Sequence, residues 1–191
     1  MLSTLLRLFV VITLLVSFSV TSLLAATNLL LNPGFEIPAT GVVPPAFVSY
    51  TNYCAAGNSA AADWTIYVNE CGSDIATQLL PSTLPNGGNY MLHLVTNGGG
   101  NGIVQSGTFN RPKTLSSIWV FINSGCVGFG TGNGGDTSET DEMSCLTGHW
   151  IHLQVPNGVS PANEVIIYSL PNPFNGTTGA DFYLDNGVVV P

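Results

Sequence analysis

The sequence predicts an all-β fold, built as a sandwich of two sheets. No window of the 191 residues shows sustained helical periodicity, and 22 glycines and 12 prolines interrupt the chain throughout. Short apolar or alternating runs recur between these turn residues, at a spacing that is typical of a sandwich. The predicted strands are Asn28–Leu31, Trp64–Asn69, Asp74–Leu80, Asn89–Asn97, Gly102–Phe109, Thr114–Ser124, Gly148–Val155, Glu164–Leu170 and Asp181–Val190.

Residues 1–26 are predicted to be a signal peptide. Arg7 precedes an apolar run from Leu8 to Leu24, and the small residues Ala25 and Ala26 follow it. We expect cleavage after Ala26 and a secreted or cell-surface protein with no membrane span. An uncleaved anchor helix is the alternative, because the apolar run approaches the ~18 residues that cross a membrane. Residues 27–191 have the length of one domain and contain no internal repeat.

The charge balance of the chain excludes one class of partner. Only 7% of the residues are charged, against about 25% in a typical protein. Without Arg7, the chain keeps two basic residues, Arg111 and Lys113, against 11 acidic ones, which gives a net charge of −9. Nothing in the chain could neutralise a row of phosphates, so a nucleic-acid partner is excluded. The same charge would repel acidic ligands in general.

Four cysteines predict two disulfide bonds. An even number of cysteines in an exported chain favours disulfides, and the absence of a Cys-x-x-Cys pair argues against zinc. Three connectivities are open, and we favour the local pairing of Cys54 with Cys71 and of Cys126 with Cys145. Each bond would stabilise the fold by about 3 kcal/mol by restricting the unfolded chain.

Side-chain alternation assigns a face to each strand residue. In Gly148–Val155, Trp150, His152 and Gln154 share one face, which is polar and aromatic, while the intervening residues are mostly aliphatic. Thr114–Ser124 is apolar on both faces, so we predict that it lies in the interior of its sheet.

The two ends of the mature chain are expected to meet. Asn32-Pro33-Gly34 predicts a turn in which Gly34 takes the positive φ, and Glu36 follows this turn directly. The closing strand carries two further acids, Asp181 and Asp185.

Seven short motifs, in order along the chain, resemble those of the CenC-type carbohydrate-binding modules, which are galactose-binding-like jelly rolls. Each motif alone is weak, and their common order is what predicts the jelly-roll fold. The motifs are Asn28–Glu36, Trp64, Gly88–Val95, Val104–Ser106, Leu115–Val120, Gly148–Trp150 and Phe182–Asn186.

This resemblance implies a structural Ca²⁺ ion where the opening and closing strands meet. Its ligands would be the Glu36 and Asp185 carboxylates and the Gly34 carbonyl, since Ca²⁺ prefers several oxygen ligands. Asn186 departs from the family pattern, which commonly has a second acid there. The alternative is that Glu36 only accepts hydrogen bonds from backbone amides.

The resemblance also implies that the protein binds a polysaccharide or cell-surface glycan. Aromatic rings that stack on sugars, flanked by polar groups, are the chemistry required. The predicted ligand-binding residues are Trp150, His152 and Gln154, with Tyr168 and His93 as neighbours.

Alternatives remain for both the site and the function. Trp64, Trp119 and Trp150 coincide with positions that the family uses for packing, and Tyr50 and Tyr53 could contact sugar instead. The sequence contains no Gly-x-Ser-x-Gly nucleophile motif and no acid pair placed for glycoside hydrolysis. We therefore do not predict an enzyme. The alternative function is an extracellular structural or adhesive surface protein that uses the sandwich for protein–protein assembly.

Overall fold

A computed structural model describes residues 27–43, 46–53, 57–69, 71–107, 109, 115–132, 140–156 and 163–190. These residues form strands and loops with no helix, so none of them provides a helix that could cross a membrane. The predicted signal peptide lies outside the described residues. The strands are β1 Val48–Tyr53, β2 Gly57–Asn58, β3 Thr65–Tyr67, β4 Ser73–Pro81, β5 Tyr90–Thr96, β6 Gly102–Ser106, β7 Leu115–Ser124, β8 Cys126–Gly132, β9 Thr140–Ser144, β10 Trp150–Pro156, β11 Glu164–Leu170 and β12 Ala180–Val190.

The strands form two six-stranded sheets, and the fold is a jelly-roll β-sandwich. The first sheet has the order β1-β4-β5-β12-β7-β10, and the second has the order β2-β3-β6-β11-β8-β9. All strand pairs within the sheets are antiparallel. From β5 to β8 the chain changes sheet at every connection, as it does again from β9 to β12. Strand β7 lies in the interior of its sheet, as its two apolar faces predicted.

The core lies between the sheets and follows the predicted alternation. In β7, Ile118, Val120 and Ile122 point inward, and in β10 Leu153 and Val155 do the same. Burying such side chains stabilises the fold by roughly 1.5–3 kcal/mol each. The largest side chains that are fully buried include Trp64, Phe35, Phe129 and Phe182.

Eight of the nine predicted strands are present, and Asn28–Leu31 is not one of them. The N–H and C=O of Leu31 both bond to the side-chain amide of Gln105, at 2.7 and 2.8 Å. This segment therefore lies beside the sandwich without joining a ladder. Strands β1, β2, β8 and β9 were not predicted, because glycine, small polar or acidic residues interrupt the apolar alternation.

The two ends of the domain meet as expected. The Leu29 amide donates to the Val189 carbonyl at 2.8 Å, and the Asn28 side chain bonds Gly187 and Val189 of β12. The predicted turn is closed by the Phe35 amide, which donates to the Asn32 carbonyl at 3.1 Å.

The conformation predicted for Gly34 is wrong. The left-handed region is occupied by Asn32, with a φ of 45°, and Phe35, with a φ of 57°. Phe35 is fully buried, with its ring centroid 5.3 Å from that of Trp64. Packing of this ring therefore offsets a backbone conformation that large residues normally avoid.

One predicted disulfide is confirmed. Cys126 and Cys145 are bonded, which links the start of β8 to the residue after β9. Cys71 is also disulfide-bonded, while its predicted partner Cys54 lies outside the described residues.

Candidate functional site

The outward side of the first sheet carries a continuous group of rings, which we call the aromatic face. Alternation along each strand sends one set of side chains into the core and the next set to this surface. The rings come from four strands and from the residue that precedes β1. They are Trp119 and Phe121 on β7, Trp150 and His152 on β10, Tyr183 on β12, His93 on β5, and Phe47.

A row of rings crosses the first sheet almost perpendicular to its strands. Strand register places Trp150 opposite Phe121, Phe121 opposite Tyr183, and Tyr183 opposite His93. Their ring centroids are 5.7, 6.0 and 4.3 Å apart, and Phe47 extends the row with a centroid 5.0 Å from that of His93. Along these four centroid distances the row from Trp150 to Phe47 measures about 21 Å at most.

A second ring pair lies beside this row. Trp119 stacks on His152 with centroids 4.6 Å apart and an angle of 15° between the planes. Gln154 Nε2 donates to His152 Nδ1 at 3.0 Å, so the other ring nitrogen carries the proton. Burial lowers the pKa of His152, although the Glu142 carboxylate opposes that change. The stacked imidazole is therefore uncharged at neutral pH.

The structure brings together most of the residues predicted to bind the ligand. Trp150, His152 and Gln154 share the surface, and His93 joins them from β5. Tyr168 does not, because it lies on β11 in the second sheet.

The tryptophans that raised the packing alternative divide between core and surface. Trp64 is 1% exposed and belongs to the core, whereas Trp119 and Trp150 are only half-buried on the aromatic face. The packing role therefore applies to Trp64, while Trp119 and Trp150 remain partly exposed on the aromatic face. Tyr50 donates its hydroxyl to the Asn58 carbonyl at 3.1 Å, and the side chain of Tyr53 lies outside what the structure describes.

Sequence reasoning missed several members of the face. Phe47, Phe121, Tyr183 and Trp119 were not assigned to the site, because their meeting depends on register between strands that are distant in the chain. The alternation of Trp119 and Phe121 with aliphatic residues was the one signal available.

The predicted cation site lies where the opening segment meets β12 and the loop before β5. Glu36 Oε1 accepts the amides of Asn89 and Tyr90 at 2.9 and 3.0 Å, and Oε2 accepts Asn89 Nδ2 at 2.9 Å. The hydrogen-bonding role that was the alternative to calcium is thus present. A Cβ on Gly88 would overlap Glu36 Oε1, so only glycine permits this approach.

Asp185 is the buried carboxylate of this junction. Its side chain accepts the Ser82 hydroxyl and, at 2.7 Å, the Asn186 amide. Burial raises the pKa of Asp185 to about 6, and the Glu36 carboxylate acts in the same direction. The side-chain oxygen of Asn186 faces Gly34, because a Cβ added to that glycine would lie 3.5 Å from it. This amide oxygen is therefore a further potential ligand at the junction.

This oxygen-rich junction fits a hard cation in its chemistry. Burial and the nearby Glu36 carboxylate both disfavour the ionised form of Asp185, and a divalent ion would offset that cost. Within the described ranges, no group of three or more His, Cys, Asp or Glu side chains surrounds a common point. A bound Ca²⁺ would therefore need carbonyl, amide or water oxygens to complete the roughly six to eight ligands that it takes.

Comparisons with known proteins find similarity at the level of structure only. No family model and no curated protein matches the sequence. A family 11 carbohydrate-binding module from Clostridium thermocellum, in complex with a β-1,3-1,4-mixed-linked tetrasaccharide, is similar with a TM-score of 0.48 and 10% identity, over 75% of this chain and 95% of that one. TmCBM61 in complex with β-1,4-galactotriose has a TM-score of 0.42 and 12% identity, over 86% and 98%.

A third similar structure is part of a larger enzyme. It is the CBM22-1–GH10 portion of the Clostridium thermocellum endo-1,4-β-D-xylanase 10B in complex with xylohexaose, with a TM-score of 0.47 and 13% identity. The match covers 68% of this chain and 26% of the xylanase chain.

Proposed function

We propose that this protein is a non-catalytic carbohydrate-binding protein that binds a neutral polysaccharide on the aromatic face. The supporting observation is the row of rings that crosses the first sheet from Trp150 to Phe47. Aromatic faces suit the C–H surfaces of sugars, and side chains at the margin, such as Gln154, Asn123 and Asp181, suit the hydroxyls. A row of about 21 Å matches an extended chain of several sugar units better than a single sugar.

The charge of the protein supports a neutral ligand. The chain carries 11 acidic residues against three lysines and arginines, none of which lies in the described part of the chain. Uronate or sulfate groups approaching the aromatic face would meet Asp181 with no described cation to offset the repulsion.

We propose further that the protein is exported and acts outside the cell. The leader predicted at residues 1–26 and the disulfide between Cys126 and Cys145 support this location, because structural disulfides persist in oxidising compartments. Sequencing the mature N terminus of protein recovered from culture medium tests it. We expect Thr27, and retention of Met1 on a membrane-bound product would contradict cleavage.

Affinity electrophoresis in gels that contain a polysaccharide tests the binding function. Mixed-linked β-glucan, β-1,4-galactan and β-1,4-xylan are suitable probes, because their oligosaccharides occupy the similar structures named above. We expect retardation by at least one probe. Trp150→Ala and Trp119→Ala should each weaken it by about tenfold, as the loss of one stacked sugar implies.

Phe174→Ala provides the matched control for these variants. Phe174 is 87% exposed on the loop between β11 and β12, so its removal deletes a surface ring without touching the aromatic face. Retardation that survives both tryptophan changes would place the binding surface elsewhere. Self-association without any retardation would instead favour the alternative, a surface protein that assembles through its sandwich.

We also propose a structural Ca²⁺ ion at the junction of Glu36 and Asp185. The buried Asp185 carboxylate, with the partly exposed Glu36 carboxylate nearby, supports it, and the ion would stabilise the fold by binding only to the native state. A chelator should lower the melting temperature of the wild type, whereas Glu36→Ala should remove that sensitivity. Identical melting with and without chelator would leave Glu36 as a hydrogen-bonded support of the loop before β5.

A further inference from the structure

One carboxylate on the aromatic face has an oxygen that the fold does not use. Asp181, on β12, has a side chain that is 35% exposed. Its Oδ1 atom accepts two hydrogen bonds, from His93 Nε2 at 2.8 Å and from Asn123 Nδ2 at 3.0 Å. Among the described residues, none donates to Oδ2. The carboxylate is therefore held through one oxygen while the other remains available to a ligand.

The histidine that holds Asp181 is itself fixed in place. His93 is 9% exposed and its ring stacks on Tyr183, with Phe47 on another side. A carboxylate oxygen only accepts, so Nε2 of His93 carries the hydrogen. Its Nδ1 atom is buried and has no hydrogen-bond partner in the described structure. A buried polar atom without a hydrogen bond lowers the stability of the fold, and residues that serve packing alone rarely have one.

A depression lies next to Asp181 on the same sheet surface. It has a volume of about 310 Å³ and is lined by Asn97 and by residues of β1, β4 and β5, including Ser49, Asp74, Ala76 and Val95. Register places Ser49 opposite Ala76, Ala76 opposite Val95, and Val95 opposite Asp181. The side chains of Ser49, Ala76 and Val95 therefore lie in one row across the sheet with Asp181 and form the bottom of the depression. The volume falls within the range of ligand pockets, roughly 300–1,000 Å³.

We propose that Asp181 determines the ligand specificity of the aromatic face. Its free Oδ2 accepts hydrogen bonds from the hydroxyls of a neutral sugar unit seated in the depression, and its charge rejects a unit that carries a carboxylate. Hydrogen bonds to a charged acceptor are among the strongest available, and like charges brought together strongly disfavour a wrong ligand. This inference rests on the proposed function, because it assigns one residue of the same face.

Titration of the purified full-length protein with two polymers tests this role. The first is neutral mixed-linked β-glucan or β-1,4-galactan, and the second is the same polymer oxidised at its primary alcohols to carboxylates. Asp181→Asn should weaken binding of the neutral polymer by about tenfold or more, the equivalent of one hydrogen bond to a charged group. It should also narrow the preference for the neutral over the oxidised polymer by about tenfold.

Two further variants separate the effects of charge and position. Asp181→Glu keeps the charge but moves the carboxylate, so it should weaken neutral binding while still rejecting the oxidised polymer. Asp63→Asn removes the same charge from an exposed loop before β3 and should change neither affinity. Melting temperatures establish that each variant is folded, and Asp181→Glu carries the test if Asp181→Asn does not fold.

The outcomes distinguish this inference from the proposed function. If Trp150→Ala weakens binding as predicted while the folded Asp181 variants bind both polymers as the wild type does, only the role of Asp181 is overturned. If the wild type binds none of the three neutral probes, β-1,4-xylan included, both proposals fail.

Discussion

Mild acid should stabilise this protein through Asp185 when no cation is bound. The pKa of Asp185 is raised to about 6 in the native state, from an ordinary value of 3.8, chiefly by burial. Between these two values the native protein holds a proton that the unfolded chain releases. The free energy of unfolding therefore increases as the pH falls through about 6, and this gain is complete near 3.8.

The size of the effect follows from the two pKa values. Native Asp185 is about one-tenth protonated at pH 7 and about nine-tenths protonated at pH 5, while the unfolded residue stays ionised at both. Proton linkage then gives about 1.3 kcal/mol more stability at pH 5 than at pH 7. For a domain of this size that corresponds to a rise in melting temperature of roughly 2–5 °C.

The assay is thermal unfolding in a chelator at pH 7 and pH 5, for wild type and Asp185→Asn. Subtracting the change seen in the variant removes the contribution of the other carboxyls, and Asp63→Asn should retain the wild-type response. Saturating Ca²⁺ should act in the opposite sense, stabilising the wild type more at pH 7 than at pH 5, because it binds the ionised carboxylate. Equal changes in wild type and Asp185→Asn would refute the reasoning.

Three further predictions concern stability. Replacing Cys126 and Cys145 by serine should lower the free energy of unfolding by about 3 kcal/mol, measured by urea denaturation, because their bond closes a separation of 19 residues; an unchanged midpoint would contradict this. Gly88→Ala should cost about 1–3 kcal/mol more than Gly41→Ala. Both glycines have positive φ, but only at position 88 would the Cβ displace Glu36, so equal losses would argue against that contact. Trp64→Phe should cost about 1–3 kcal/mol, because the Asn32 carbonyl loses the indole N–H at 3.1 Å, and full retention of the melting temperature would show that this bond contributes nothing.

Strands in which inward-facing and outward-facing side chains alternate clearly could be predicted from the sequence, and strands without that alternation could not. β10 and β7 are defined by local side-chain period, and their inward and outward sets are as predicted. β8 reads as a glycine-rich loop, yet all seven of its residues are buried between neighbouring strands. Asn28–Leu31 is the converse case, because its apolar run predicted a strand but the Gln105 side chain takes its backbone groups.

The sequence by itself determined the fold class and the partition of each long strand into two faces, since these depend on periodicity, and it favoured the local pairing of Cys126 with Cys145 among three connectivities. It also identified Trp150, His152 and Gln154 as one surface. Only the tertiary structure decided which strands share that surface. Alternation along β11 cannot show that Tyr168 belongs to the other sheet, nor can it place Asp181 beside His93, 88 residues earlier in the chain. Register between distant strands arises when the two sheets close around their core, and that information is spread over the whole chain.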